Sequence, residues 1–165
     1  MKALSLDNFW AAAVAPLLVK TIETRGWATH HRGELAIHAT ANVPAKARRI
    51  YRENAVVREQ IARLGVRSEK DLDDLPKGVV IGVCDLVACV QVGQQMLIGL
   101  EGAEEFRPPA VDSVEYAFGD YSRGRFLWLM KDVVVLKTPV PATGRQRLWN
   151  LPEDVERQVR EQLAA

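Results

Sequence analysis

Apolar and polar residues alternate at period two, the pattern of a half-buried strand, in several short stretches of the chain. The alternation predicts a first strand over Lys2–Leu6, a second over Thr21–Arg25 and a third over Glu34–Thr40. In the second, Thr21, Glu23 and Arg25 face one way and Ile22 and Thr24 the other. In the third, Leu35, Ile37 and Ala39 oppose Glu34, Ala36 and His38. Val79–Val92 is β-branched and almost wholly apolar, the most strand-like segment of all. Phe126–Met130 and Val133–Leu136 read as strands joined by a hairpin turn at Lys131-Asp132, and Arg145–Leu151 as a last short strand after a Pro139–Gly144 loop.

Other stretches repeat at helical period. Phe9–Val19 is apolar nearly all round, which predicts a buried helix. Asp7 or Asn8 is placed to cap it, and Pro16 to kink or end it. Pro44–Leu64 carries Ala47, Ile50, Val57, Ile61 and Leu64 as one stripe and predicts a single long amphipathic helix, with Gly65 as its C-cap. Arg48, Arg49, Arg52 and Arg63 lie largely off that stripe. Pro152 opens a terminal helix that buries Val155, Val159 and Leu163, with Glu153 and Asp154 favourably placed at its start. Residues 66–77 form an acidic connector with a helical turn, and 93–112 an irregular, acidic, Pro-rich excursion.

These elements, about seven strands and three helices joined by Gly and Pro, predict an α+β fold: a small barrel or strongly bent mixed sheet decorated by helices. Strands and helices do not alternate, and no Gly-rich phosphate loop follows a strand, which argues against a doubly wound sheet. At 165 residues, the whole of 1–165 is expected to be a single domain with a sizeable core.

Composition is that of a soluble globular protein, 48% hydrophobic and 26% charged. The net charge of +1 argues against a protein that coats long nucleic acid through many phosphates. Charge is distributed unevenly, +5 over residues 1–65, −7 over 66–120 and +3 over 121–165. Cys84 and Cys89 are five apart in one predicted strand, on opposite faces and roughly 17 Å from each other, too far to pair. Two lone cysteines without Cys-x-x-Cys fit a reducing compartment and no zinc site. Asp7, Pro16 and the charged strand argue against reading Phe9–Val19 as an export signal. No run approaches the ~20 apolar residues of a membrane span. A cytoplasmic location without membrane contact is the expectation.

Candidate chemistry centres on Lys20-Thr21-Ile22-Glu23-Thr24-Arg25, three charges in six residues between hydrophobic segments. This is either a solvated surface strand with a weak ion pair or the lining of a polar cleft. Asp85, alone in its apolar strand, is either a sheet-edge residue or a carboxylate facing the same cleft. His38 is a ligand, a proton carrier, or a histidine hydrogen-bonded beside a core. His30 and His31 are adjacent, with no third ligand at metal-site spacing, so no metal is expected. The Gly-rich turn Phe118–Trp128 offers Tyr121 for stacking and Arg123 or Arg125 for anions. Trp10 and Trp27 are core residues or stacking platforms. The arginines of the long helix are a solvated face or a phosphate-facing one.

KTIETR (Lys20–Arg25), HRGELAIHA (His31–Ala39), LPKGVVIG (Leu75–Gly82), FGDYSRGRFLW (Phe118–Trp128) and GRQRLWNL (Gly144–Leu151), with MKALSL at the start, together resemble the ASCH-domain family over nearly the whole chain and in the right order. The resemblance implies a PUA-like β-barrel. It also implies a cleft lined by a G-x-K-x-x-E-x-R motif that takes RNA, another nucleic acid or a nucleotide-like ligand. Here the motif falls at Leu18, Lys20, Glu23 and Arg25, with leucine in the glycine position. Some small relatives similar in fold are amidohydrolases on acylated cytidine, using a lysine and a threonine three residues later. Lys20 matches that lysine, but Glu23 stands at the threonine position.

Two functional expectations follow. In the first, the chain binds RNA through Lys20, Glu23, Arg25, Trp10, Trp27, His38, Tyr121 and Arg125, with aromatic stacking typically worth ~1–3 kcal/mol per base. In the second it is a hydrolase on a modified nucleoside or on RNA. Lys20 is then an acid or base, and Glu23 or Asp85 orients water. A weaker third reading is a protein-interaction domain using the basic helix. No cofactor is implied, and the oligomeric state is not encoded in these patterns.

Overall fold

In the structure, a computed structural model, residues 1–93, 97–99 and 108–164 are described, 97–99 by backbone alone. Most of the expected 93–112 excursion lies outside them. The strands are β1 (Lys2–Leu6), β2 (Ile22–Arg25), β3 (Gly33–Ala39), β4 (Val79–Val92), β5 (Leu97–Gly99), β6 (Phe126–Pro141) and β7 (Leu148–Asn150). The helices are α1 (Asn8–Val14), α2 (Ala45–Glu53), α3 (Ala55–Ala62), α4 (Val114–Ala117) and α5 (Glu153–Leu163), with a 3-10 turn at Lys70–Asp74.

The strands form one mixed sheet in the order β2-β6-β4-β3-β1-β7, with β5 added to β4. Only β1 and β3 run parallel; the other ladders are antiparallel. No ladder joins β2 to β7 among the described residues, so the sheet has two ends. They nevertheless approach each other. Arg25 on β2 donates from Nη2 to the carbonyl oxygen of Ser5 on β1, at 2.9 Å.

The expected alternation positions side chains on two buried faces. Leu35, Ile37 and Ala39 join Leu4, Leu6, Trp128 and Met130 in the core beneath α1. Ala36, Ala3, Val80, Val83 and Trp149 pack with Val155 and Val159 of α5 on the other face. α1 is buried all round, as its composition predicts. Ala11 and Val14 face the sheet, while Phe9, Ala12 and Ala13 face a second core built from α2, α3 and Phe118.

Several expectations need correction. α1 is shorter than predicted, stopping before Pro16. Asp7 occupies its N-cap position but makes no cap bond; its carboxylate instead accepts from the Thr40 hydroxyl at 3.4 Å. Asn8 is the first helical residue and fully buried. The long helix is two. Asn54 is extended, and its side chain accepts from the Val57 amide, so it caps α3 and breaks the run. This is the competition between Asn side chain and helix that makes asparagine favour caps. Arg58 then donates to the carbonyls of Tyr51 and Arg52 that the break leaves free.

β6 is one strand of 16 residues, without a hairpin at Lys131-Asp132. Asp132 takes a positive φ of 50°, and the register against β4 shifts there. The 14-residue β4 carries the pairing across the irregularity. Such bulges also overturn the expected placement of the cysteines on opposite faces. With register shifts at Val83/Asp85 and Leu86/Ala88, Cys84 and Cys89 both enter the core beneath α1, each free. The predicted last strand shrinks to Leu148–Asn150, and Pro139–Pro141 belongs to β6. The terminal helix α5 forms after Pro152 as expected, with Val155 and Val159 buried. No helix among the described residues is long and apolar enough to cross a membrane.

Candidate functional site

After α1 the chain folds back tightly: the amides of Val19 and Lys20 both donate to the Ala13 carbonyl, at 3.0 and 3.2 Å. That turn puts Leu18 at φ 56°, the left-handed region that glycine occupies without cost. The leucine in the motif's glycine position therefore adopts the conformation a glycine would favour. The turn drives Lys20 inward, and its side chain is fully buried. Its ammonium donates to the Ile22 carbonyl and lies 3.5 Å from Glu23 Oε2. Glu23 Oε1 in turn is 3.1 Å from Arg25 Nε. The three charges form a chain, Lys20 to Glu23 to Arg25, with exposure rising from 0% through 9% to 25%.

β2 is an edge strand, and its free side is tied down by Glu115 of α4. The Glu115 carboxylate accepts from the amides of Thr21 and Ile22 and from the Thr21 and Tyr121 hydroxyls. Tyr121 also stacks on Tyr116, centroids 5.0 Å apart. Burial, then the Glu115 charge, pushes its phenol up. Tyr121 thus serves β2 from behind.

A cleft of about 180 Å³ opens over the charged strand. Asp7, Glu23 and Asp120 supply its acceptors, and Arg25, Lys46 and Arg125 its donors. Trp10 forms part of the wall, with the Lys46 ammonium 5.7 Å from its ring centroid. Arg125 donates to the Thr24 carbonyl at 2.9 Å and stands 3.5 Å from Asp120. The Asp120 amide donates to the Thr24 hydroxyl. The Ser122 hydroxyl, with Arg125 and Lys46 nearby, holds the Asp120 carboxyl below the usual range. At Gly119 a Cβ would fall 2.2 Å from the Tyr121 ring, so the turn needs glycine there.

A larger cavity of about 640 Å³ lies on the other side of Arg25. Its charged lining is Arg25, Arg145 and Arg147, with no carboxylate among the lining residues. Trp27, His38 and Thr40 complete the wall. Arg147 sits 5.7 Å over the Trp27 ring. His38 is 2% exposed, bonded through Nε2 to the Ala142 carbonyl at 3.0 Å, with Nδ1 unpartnered. Burial pushes its pKa down, against the opposing effect of that bond.

The structure therefore divides the expected site residues. Glu23, Arg25, Trp10 and Arg125 line the smaller cleft; Arg25, Trp27 and His38 line the larger; Lys20, buried beside Glu23, and Tyr121, bonded to Glu115, line neither. Asp85 is not brought to them. It is half-buried in mid-sheet, opposite Glu34 on β3 and Lys131 on β6. Asp7, Lys46, Asp120, Arg145 and Arg147 were not among the expected site residues; Asp120, Arg145 and Arg147 lie in stretches that carry the family resemblance, whereas Asp7 and Lys46 are ordinary polar residues of a helix start and a helix face. Among the described residues no group of histidine, cysteine or carboxylate side chains could hold a metal.

No family model matches the chain. It is 26% identical over 159 residues to activating signal cointegrator 1 of Homo sapiens, a match covering 90% of this chain and 23% of that protein. The Mus musculus protein of that name is 24% identical over 155 residues, covering 92% and 22%. The chain thus spans about a quarter of the length of these curated relatives. Among solved structures it is similar to the ASCH protein of Zymomonas mobilis, at 18% identity and a TM-score of 0.50, over 97% of this chain and 93% of that one. A mixed sheet, a charged edge strand and that shared architecture lead to one conclusion: the chain has the fold of the Zymomonas mobilis ASCH protein.

Proposed function

We propose that the chain binds single-stranded nucleic acid, RNA above all, by taking an unpaired base into the cleft over β2. The observation that carries this reading is the lining of that cleft, three carboxylates and three cations beside Trp10. A base edge offers donors and acceptors side by side, and such a lining can answer both. Glu23 is buried and fixed between Lys20 and Arg25, so it is pre-organised to accept from a base amine without reordering. Arg125, held by the Thr24 carbonyl, meets an acceptor or a phosphate through its planar fork. We read the curled sheet as a PUA-like barrel whose seam Arg25 spans.

The test is binding of a short fluorescent single-stranded RNA by anisotropy. Arg125→Gln is expected to weaken binding about tenfold or more, the effect of one lost charged hydrogen bond. Arg160→Gln, on α5 and paired with Glu34 and Glu156, is expected to leave it unchanged. Equal affinity of Arg125→Gln and the parent would overturn this placement of the base. Hydrolysis through the same cleft is disfavoured by the position of Lys20, whose ammonium is spent on Ile22 and Glu23 beneath the floor.

A further inference from the structure

The larger cavity has no part in the reading above, yet it shares Arg25 with the smaller cleft. Arg25, together with the contact between Asp7 and Thr40, forms the partition between the two. Asp7 lines one side and Thr40 the other. The two chambers differ in charge. The smaller balances three carboxylates against three cations, while the larger has three arginines and no carboxylate in its lining. They differ in size as well. About 640 Å³ lies within the ~300–1,000 Å³ usual for small-molecule pockets, and about 180 Å³ lies below it.

We propose that the larger cavity is a second nucleotide site, taking the nucleotide next in the strand to the base held over β2, with the connecting phosphate at Arg25. The inference rests on that nucleic-acid reading. A guanidinium has five N–H donors. Arg25 directs one to Ser5 and its Nε towards Glu23, so donors remain for a phosphate at the partition. Arg145 and Arg147 are exposed at the rim of the cavity and meet the next phosphate along the strand. Trp27 gives the base of that nucleotide an aromatic wall, next to the Arg147 guanidinium. Gly144 keeps the chamber floor close: a Cβ there would stand 2.5 Å from His38 Cε1. A ligand of two linked nucleotides fills both chambers, and a mononucleotide fills one.

The test compares an RNA mononucleotide, dinucleotide and trinucleotide by calorimetry on the parent chain and on the double variant Arg145→Gln/Arg147→Gln. The parent is expected to gain about tenfold or more in affinity from one nucleotide to two, as added charged contacts would give. The double variant is expected to bind the mononucleotide as the parent does but to lose that gain. Its salt dependence should also be shallower, by about 0.7 in log–log slope for each phosphate contact removed. A parent that binds the mononucleotide but gains nothing from the second nucleotide overturns the second site and leaves the first. So does a double variant that keeps the full gain. A parent that binds none of the three overturns the nucleic-acid reading, and the second site with it.

Discussion

Arg25 donates from Nη2 to the backbone oxygen of Ser5 at 2.9 Å, linking β2, at one end of the sheet order, to β1 near the other. No ladder bond spans this gap among the described residues, so a side chain does what a strand pairing does elsewhere. The same guanidinium separates the two chambers. Arg25→Lys keeps the charge but loses the fork that reaches Ser5 and Glu23 together. It is expected to lower stability by about 1.5–3 kcal/mol, the range for hydrogen bonds to charged groups. Urea unfolding with an unchanged m-value measures it; a midpoint equal to the parent's would show that the bond to Ser5 contributes nothing.

Lys20 and Glu23 test each other. Replacing Lys20 by methionine leaves Glu23 buried with Arg25 as its sole described partner, and removal of one member of a buried pair typically costs about 3–5 kcal/mol. Glu23→Gln in the Lys20→Met background removes the stranded charge and should recover part of that loss. A double-mutant cycle by chemical denaturation reads the coupling. Purely additive losses would mean that the 3.5 Å pair is not an energetic one.

Leu18 is the opposite case, a position where change should help. It is 55% exposed and held at φ 56°, so its side chain contributes little burial while its backbone is strained by about 1–2 kcal/mol. Leu18→Gly removes the strain but loosens the unfolded chain. A net gain of up to about 1 kcal/mol in unfolding free energy is the expectation. A clear loss would show that the Leu18 side chain packs better than its exposure indicates.

Gly144 admits no side chain without movement. Its Cβ would meet His38 at 2.5 and 2.8 Å and the Ser5 hydroxyl at 3.0 Å. Gly144→Ala is therefore expected to destabilise by about 1–3 kcal/mol, as overpacking does, and to shift the His38 ring resonances by NMR. Unmoved resonances would place the loop farther from His38 than the geometry does.

His38 and Tyr121 each contribute to the pH dependence of stability. The folded pKa of His38 lies below its ordinary 6.5, so as pH falls the unfolded chain takes up the proton first. Its contribution is full above pH 6.5 and declines as pH drops below that value. The folded pKa of Tyr121 lies above its ordinary 10.0, so the unfolded chain loses that proton first, and stability falls as pH rises past 10.0. Denaturant midpoints across pH should show both limbs. His38→Gln should make the acid limb shallower near pH 6.5, above the range where the depressed carboxyls of Asp120 and Glu156 add to it. Tyr121→Phe should make the alkaline limb shallower above pH 10.0, where the raised thiols of Cys84 and Cys89 share it. A limb unchanged by its substitution would assign it wholly to the other groups.

Features that depend on near neighbours along the chain were legible in the residues alone. Period-two alternation assigned Leu35, Ile37 and Ala39 to one face and Ala36 to the other, because neighbouring Cβ atoms of a strand point oppositely whatever lies beyond. Apolar content fixed the burial of α1, and Pro152 the start of α5. The order Lys20, Glu23, Arg25 already held the charge chain, since its members are within five residues of one another. Tertiary structure decided the rest. Asn54 split a helix that its apolar stripe would have continued, because one side-chain bond to Val57 offered the backbone a competing partner. β4 drew β6 into a single strand through Asp132, and bulges brought both cysteines into one core. The two chambers around Arg25 gather Asp7, Lys46, Asp120 and Arg147 from separate segments. Periodicity states which way a side chain faces, but only the packing of elements distant in sequence decides what it faces.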